Sequence, residues 1–402
     1  MPLYARNHLI PLVAFACLSG CISPIKYGDI PHAELSSSLR CNPEEGSAIQ
    51  DIAGKPMFAV TSRLPDCRFD NAILTDYRSE KTRYLRFANP LKQAAAKGKF
   101  VTVTPITFET ESIWWQQLAG EAANNKGRVL LYVHGYRETF ESTSRDTAQI
   151  ARLTNFGGPI IQYSWPSQGE LFSYGVDETN MYWSERNFRG FLQKLAEQPW
   201  VKDIVLVSHS LGARLVIPSI EYVDSKAANA DASNISNIIL ASPDVDTADF
   251  ERDVAGAIMS QRRINSGRHM TIYVSAADKA LAISRTIHGY PRLGSPFCFN
   301  PFEAAGLRAK GLPERCYAAN LKPEEAARKS ALTIIDTSAV SIASGHSNHL
   351  RSALACADFA AVVNGKVSEG RIATHLPYVF ALPSYAKKSK IDHDALCLRE
   401  AK

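Results

Sequence analysis

From residue 100 onward, short apolar runs and helix-spaced apolar residues take turns along the chain. Residues 129–133 (V-L-L-Y-V), 159–164, 204–207, 235–241, 270–274 (M-T-I-Y-V) and 331–335 (A-L-T-I-I) are apolar with little interruption, as strands covered on both faces are. Between them lie segments of helical period. Phe188, Phe191, Leu192 and Leu195 fall at i, i+3, i+4 and i+7, the spacing of one core-facing stripe. Further helices are predicted over 142–153, with Ser142 or Ser144 as cap, after Gly212, where Pro218 should kink the helix, around Val254 and Ile258, and around Leu350 and Leu354. Strand and helix in alternation predict an α/β fold, a mostly parallel central sheet with helices on both faces. Residues 100–104 (F-V-T-V-T) alternate like an exposed edge strand. Residues 22–95 are less regular; 58–61 read as a strand, and the expectation is an extension that wraps the sheet and begins it with an edge strand.

Candidate chemistry collects where these strands end. The run 204–207 leads into Ser208-His209-Ser210-Leu211-Gly212 and then directly into a helix. A serine at the apex of a strand-to-helix turn is held in a strained conformation, and small flanking residues allow strand and helix to approach closely. Ser208 and Gly212 are those flanks, and Ser210 is the candidate nucleophile; an ordinary turn is the plain alternative. The strand 129–133 ends in His134-Gly135-Tyr136, a loop placed to donate one backbone N–H to a developing oxyanion. The two donors are assigned to Tyr136 and Leu211. Two later strand ends offer acids, Asp244 and Asp246 after 235–241 and Asp278 after 270–274. The chain order serine, acid, histidine favours Asp278, although an aspartate there also suits the cap of a helix starting at Lys279. The base follows the last strand, in the loop Ser344-Gly345-His346-Ser347-Asn348-His349; His346 is chosen, with His349 as rival. His209 reads as structural, His134 as lining the oxyanion loop, and His288 and His375 lack the strand-end context. In this scheme His346 takes the proton of Ser210, Asp278 orients the imidazole, and Ser210 forms an acyl-enzyme. The aromatic stretch 171–183 (Phe172, Tyr174, Tyr182, Trp183) is a lid or acyl-pocket wall, or simply packing.

The first twenty residues combine Arg6, an apolar stretch too short to span a bilayer, and small residues before Cys21. Leu18-Ser19-Gly20-Cys21 resembles a bacterial lipobox, which implies lipidation of Cys21; a plain secretory signal cleaved near Cys21 is the alternative. Ile22 after the cysteine resembles enterobacterial signals for the outer membrane, which implies a periplasm-exposed, lipid-anchored protein. The expected division is a lipoprotein signal over 1–20, a linker and extension over 21–95, and a catalytic domain over 96–402. Of the 8 cysteines, six remain beyond the signal and the lipid site. In an oxidising compartment they read as disulfides, sequence neighbours suggesting Cys41 with Cys67, Cys298 with Cys316, and Cys356 with Cys397. No Cys/His cluster has the spacing of a zinc site, and no cofactor is implied. A net charge of +5 over 402 residues, with scattered basic residues, argues against nucleic acid as a partner.

Several motifs together carry a family resemblance: V-H-G-Y (133–136), Y-S-W-P-S (163–167), S-H-S-L-G-A-R (208–214), S-P-D-V-D (242–246), V-S-A-A-D-K-A-L (274–281) and G-H-S (345–347). Over about residues 55–360 the chain resembles the bacterial alpha/beta hydrolase family of unknown function, esterase- and lipase-like proteins often secreted or lipidated. The resemblance implies the α/β-hydrolase fold and carries serine, acid and histidine onto Ser210, Asp278 and His346. Ser208 stands where the general elbow has its first glycine. The expected activity is a membrane-anchored serine hydrolase cleaving carboxylic esters of lipid or acylated envelope components. A serine acyltransferase and an inactive lipid-anchored interaction module are the alternatives.

Overall fold

The computed structural model describes residues 32–43, 56–68, 72–88, 91–94, 100–104, 106–170, 173–226, 234–318 and 331–384. The strands are β1 (Met57–Asp66), β2 (Ile73–Phe87), β3 (Leu91–Ala94), β4 (Phe100–Val103), β5 (Ile106–Glu109), β6 (Arg128–Val133), β7 (Ile160–Ser164), β8 (Asp203–His209), β9 (Ile235–Ala241), β10 (His269–Val274), β11 (Leu332–Asp336), β12 (Ile372–Ala373) and β13 (Val379–Ala381). Eleven of them form one sheet in the order β12-β13-β11-β10-β9-β8-β6-β7-β1-β2-β5. From β13 to β1 every neighbouring pair is parallel; β12, β2 and β5 pair antiparallel at the two margins. This is the mostly parallel sheet that the apolar runs predict.

Helices cover both faces because alternate residues of each central strand point to opposite sides. On one face Leu131, Leu206, Ile238 and Ile272 pack with Phe188 and Leu192 of α4 (Tyr174–Ala196) and Leu215 and Ile220 of α5 (Ala213–Lys226). On the other, Leu130, Val205, Ile239 and Ile335 meet Ile150 of α3 (Phe140–Thr154) and Phe359 of the helix Ala353–Val363. Phe188, Phe191, Leu192 and Leu195 are all buried as their spacing predicts, and burying each such side chain contributes about 1.5–3 kcal/mol.

Three expectations need correction. Residues 58–61 do not form an edge strand: β1 lies between β7 and β2, with all ten residues buried. Phe58 and Val60 enter the α4–α5 core, while Met57 and Ala59 enter a separate cluster with Phe87 and Phe140. A run apolar on both sides is interior for the same reason as 129–133. Residues 100–104 contain β4, which pairs with β3 in a separate two-stranded sheet; alternation marks a strand without choosing its neighbour. The cap of α3 is Thr139, whose hydroxyl accepts from the Ser142 N–H at 3.2 Å. Ser144 lies inside the helix and donates back to the Phe140 carbonyl at 2.7 Å.

Disulfides join Cys41 to Cys67 and Cys298 to Cys316. Cys356 is also disulfide-bonded, and Cys397 lies outside the described residues, as do the signal segment and Cys21. Among the described residues no helix is long and apolar enough to cross a membrane.

Candidate active site

β8 delivers Ser210 to the carboxyl end of the sheet, where a 3-10 turn over Ser210–Gly212 passes straight into α5. Ser210 has φ +52°, a left-handed conformation costing a residue with a side chain on the order of 1–3 kcal/mol. Its surroundings fix that conformation. The Asp244 N–H donates to the Ser210 carbonyl at 3.1 Å, and both neighbouring glycines lie against backbone. A Cβ on Gly135 would sit 2.7 Å from the Ser210 Cβ, and one on Gly212 would overlap the His134 carbonyl oxygen. The loop after β6 thus touches the elbow, as the chain order requires. Ser208 fits within β8, opposite Val133 and Leu240; its hydroxyl is buried with no hydrogen-bond partner among the described residues.

The candidate acid and base meet at the same end. His346 Nδ1 lies 2.8 Å from Asp278 Oδ2, so Nδ1 carries the proton it donates and Nε2 is left as acceptor. Asp278 does both things its position suggests: Oδ1 accepts from the Leu281 N–H at 2.9 Å and caps the helix Lys279–His288, while Oδ2 holds the imidazole. Gly345, at φ +73°, allows the histidine loop to lie against the Ala277 carbonyl, and the Lys279 N–H donates to the Ser344 carbonyl at 2.9 Å. The His346 pKa reflects opposing causes: burial draws it down most, but the Asp278 carboxylate, joined by the more distant Asp244 and Glu138, brings the net shift upward. Among the described residues no hydrogen bond reaches the Ser210 hydroxyl; such bonds are often long in resting sites and tighten when substrate binds.

The rival assignments have other partners. Asp244, 2% exposed, accepts from Tyr174 Oη at 2.5 Å and Ser284 Oγ at 2.6 Å and lies 3.2 Å from Arg214 and 3.1 Å from Arg292. Burial would raise its pKa, yet the two guanidiniums hold it below the usual aspartate value. Asp246 caps the short helix Thr247–Asp249. His349 is packed between His209 and Phe359, and burial drops its pKa to about 3. His209 supports the base from behind: its ring is 4.7 Å from that of His346, and its Nε2 lies 3.1 Å from the His346 carbonyl oxygen. Burial, followed by the neighbouring histidines, keeps its pKa well below the ordinary value, so it remains neutral and donates. His288 lies 3.1 Å from Glu178 and 2.8 Å from the Ser284 carbonyl oxygen, on the Asp244 side of the site and not beside His346.

The loop after β6, the candidate oxyanion loop, has supports that sequence reasoning missed. Arg63 of β1 is fully buried and its guanidinium donates to the Glu138 carbonyl (2.6 Å), the Ser167 carbonyl (3.0 Å), Ser164 Oγ (2.9 Å) and Asp76 (2.6 Å). Asp177 of α4 accepts from the Arg137 N–H at 3.0 Å and from Ser167 Oγ and the Gln168 N–H. Residues 135–138 are therefore clamped from two sides, and β1 ties the N-terminal region to the site. His134 stacks on Trp165 with centroids 4.8 Å apart, and both its ring nitrogens face carbonyl oxygens. Tyr136, half-buried, donates to the Glu170 carbonyl and packs edge-on against Tyr174. Leu211, the other assigned donor, is buried in the turn itself. An arginine buried within an apolar strand was the available signal, since such a charge survives only when fully bonded. Among the described residues no group of three or more His, Cys, Asp or Glu side chains is placed to hold a metal.

A mostly parallel sheet whose central strand turns through a strained serine into a helix is the α/β-hydrolase architecture. The family of alpha/beta hydrolases of unknown function (DUF900) matches residues 114–334, more than half of the chain. The chain belongs to that family and is a hydrolase of the α/β class. Among solved structures it is similar to an esterase of Pyrobaculum calidifontis in its monoclinic form, with 12% identity and a TM-score of 0.25 over 51% of this chain and 73% of that one. No curated protein matches the chain.

Proposed function

We propose that the protein is a serine hydrolase of carboxylic esters, tethered to the bacterial outer membrane through acyl chains on Cys21. The observation that carries the catalytic part is the hydrogen bond between His346 Nδ1 and Asp278 Oδ2, formed at the sheet end where Ser210 is held at φ +52°. Ser210 Oγ attacks the ester carbonyl carbon while His346 Nε2 takes its proton. The oxyanion that forms is stabilised by the Tyr136 and Leu211 N–H groups, a pair of donors each worth about two to three orders of magnitude in other enzymes. The tetrahedral species collapses, the alkoxide leaves with the proton from His346, and water, deprotonated by the same imidazole, releases the acid.

Hydrolysis of p-nitrophenyl acetate and butyrate by the purified protein tests this reading directly. Ser210→Ala is expected to reduce the rate to the buffer background; a variant that keeps the native rate contradicts the assignment. Metabolic labelling with a fatty acid tests the tether, with incorporation expected in the native protein and lost in Cys21→Ser.

A further inference from the structure

The helix Pro301–Ala309 contains no buried residue, although it carries Phe302, Ala304, Ala305 and Leu307. It follows an exposed stretch of the helix Lys279–His288 and is stapled at its base by Cys298–Cys316. Six of the large apolar side chains left exposed among the described residues fall within residues 283–302: Ile283, Ile287, Tyr290, Phe297, Phe299 and Phe302, between 40% and 84% exposed. Single exposed apolar residues are ordinary, whereas a contiguous set marks a surface that another apolar phase covers.

Three observations identify that phase. First, the surface borders the proposed site: the helix Lys279–His288 is capped by Asp278 and reaches Asp244 through Ser284. Second, its unengaged charges are mainly basic. Arg292, Arg308 and Arg315 are bound to Asp244, Glu314 and Asp336, leaving Lys279, Arg285 and Lys310 against Glu303. The Arg285 guanidinium lies 3.5 Å from the Phe297 ring centroid, a cation placed on the face of a part-exposed aromatic ring of the same surface. Third, the N-terminal chain enters at the same end of the molecule. β1 runs parallel to β7 and so to β10. Cys67, just after β1, accepts the disulfide from Cys41 and donates its N–H to the Leu35 carbonyl. The segment starting at His32 is thereby fastened at the carboxyl end of the sheet, from which the helix Lys279–His288 also starts. Five strand spacings from β1 to β10 are roughly 24 Å, and the eleven residues from Cys21 to His32 span at most about 40 Å. With Cys21 acylated as proposed, a tether of that reach keeps this end of the sheet within about 40 Å of the bilayer.

We infer that the surface formed by residues 283–302 is a membrane-docking face, inserting its phenylalanines into an anionic bilayer and presenting the Ser210 site to ester groups at the lipid interface. The inference deepens the proposed function and rests on its lipid-facing part. Docking by itself is independent of the acyl anchor, because insertion of apolar area and attraction of cations to anionic headgroups supply the affinity.

The test uses the full chain carrying Cys21→Ser, which has no acylation site, with vesicles of phosphatidylethanolamine and phosphatidylglycerol in flotation assays. Binding is expected, with a weaker response to raised salt than an electrostatic contact alone would give and little binding of a Phe299→Ser/Phe302→Ser variant, its partition lowered about tenfold or more given the apolar area removed. Both proteins are expected to hydrolyse short soluble esters equally, which also establishes that the double variant is folded. Absence of vesicle binding by the Cys21→Ser chain, or undiminished binding by the double variant, overturns the docking face while leaving soluble-ester hydrolysis intact. Vesicle binding in a protein with no esterase activity sustains the docking face and removes the hydrolase reading instead.

Discussion

The ends of β9 and β10 place two buried aspartates at the same edge of the sheet, and they serve differently. Asp244 is the nearer to the nucleophile along the backbone, its N–H bonded to the Ser210 carbonyl. Its carboxylate, however, is engaged by Arg214, Arg292, Tyr174 and Ser284. Asp278 has a helix N-terminus on one oxygen and His346 on the other. A carboxylate surrounded by guanidiniums has its charge neutralised where it stands, while one held by neutral N–H donors keeps a charge available to an imidazole. Partnership, more than distance to the serine, separates the two: in the proposed triad Asp244 holds the elbow and Asp278 tunes the base.

Substitutions break this comparison in order of size. Asp278→Asn is expected to lower kcat for soluble esters by about 10⁴, because the amide stabilises the wrong imidazole tautomer and no longer supports its charged form; steady-state kinetics read it. Asp244→Asn is expected to act on stability, by about 3–5 kcal/mol, since buried Arg292 loses its counter-charge and Arg214 keeps only Glu178. Chemical denaturation measures that loss, while kcat per folded molecule falls within about tenfold of native. The pH profile sharpens the contrast further. His346 must be neutral to act as base, so activity falls as pH drops through its pKa, which Asp278 raises above 6.5. In Asp278→Asn the residual activity should keep its acid limb to lower pH. The linked stability has the opposite course: the His346–Asp278 pair contributes fully below about pH 6.5 and its contribution is lost as pH rises through the raised value. The depressed Asp244 pKa gives stability present above the unfolded value of 3.8 and lost as pH falls through the folded one, a slope that Asp244→Asn should flatten. The smallest effect belongs to Asp246→Ala, which removes only the cap of Thr247–Asp249 and is expected to cost about 1 kcal/mol with unchanged kinetics.

Much of this was legible from periodicity. The runs that became β6 to β11 are apolar on both faces, and the spacing of Phe188 to Leu195 allowed one helical reading. The elbow was legible because a strand, a small-flanked serine and a helix follow without a gap. What sequence could not resolve was whatever depends on a side chain's remote partner. Asp244 and Asp278 both end strands and both suit caps; only the arginines reaching Asp244 from α5 and from Arg292, and the loop delivering His346, distinguish them. Arg63 is the same lesson in the N-terminal region, a charge inside an apolar strand whose hydrogen-bond partners come from residues some hundred positions away. The edge-strand expectation for 58–61 failed for a related reason, since sheet neighbours are tertiary facts. The signal segment, Cys21 and Cys397 lie outside the described residues.

The most direct test is covalent labelling by a fluorophosphonate, followed by peptide mass mapping and run alongside the two aspartate variants. The triad predicts an adduct on the peptide containing Ser210, labelling slowed at least about 10³-fold in Asp278→Asn, and a near-native rate for the folded fraction of Asp244→Asn. An adduct elsewhere, no adduct at all, or an Asp244→Asn variant slowed as much as Asp278→Asn would contradict it.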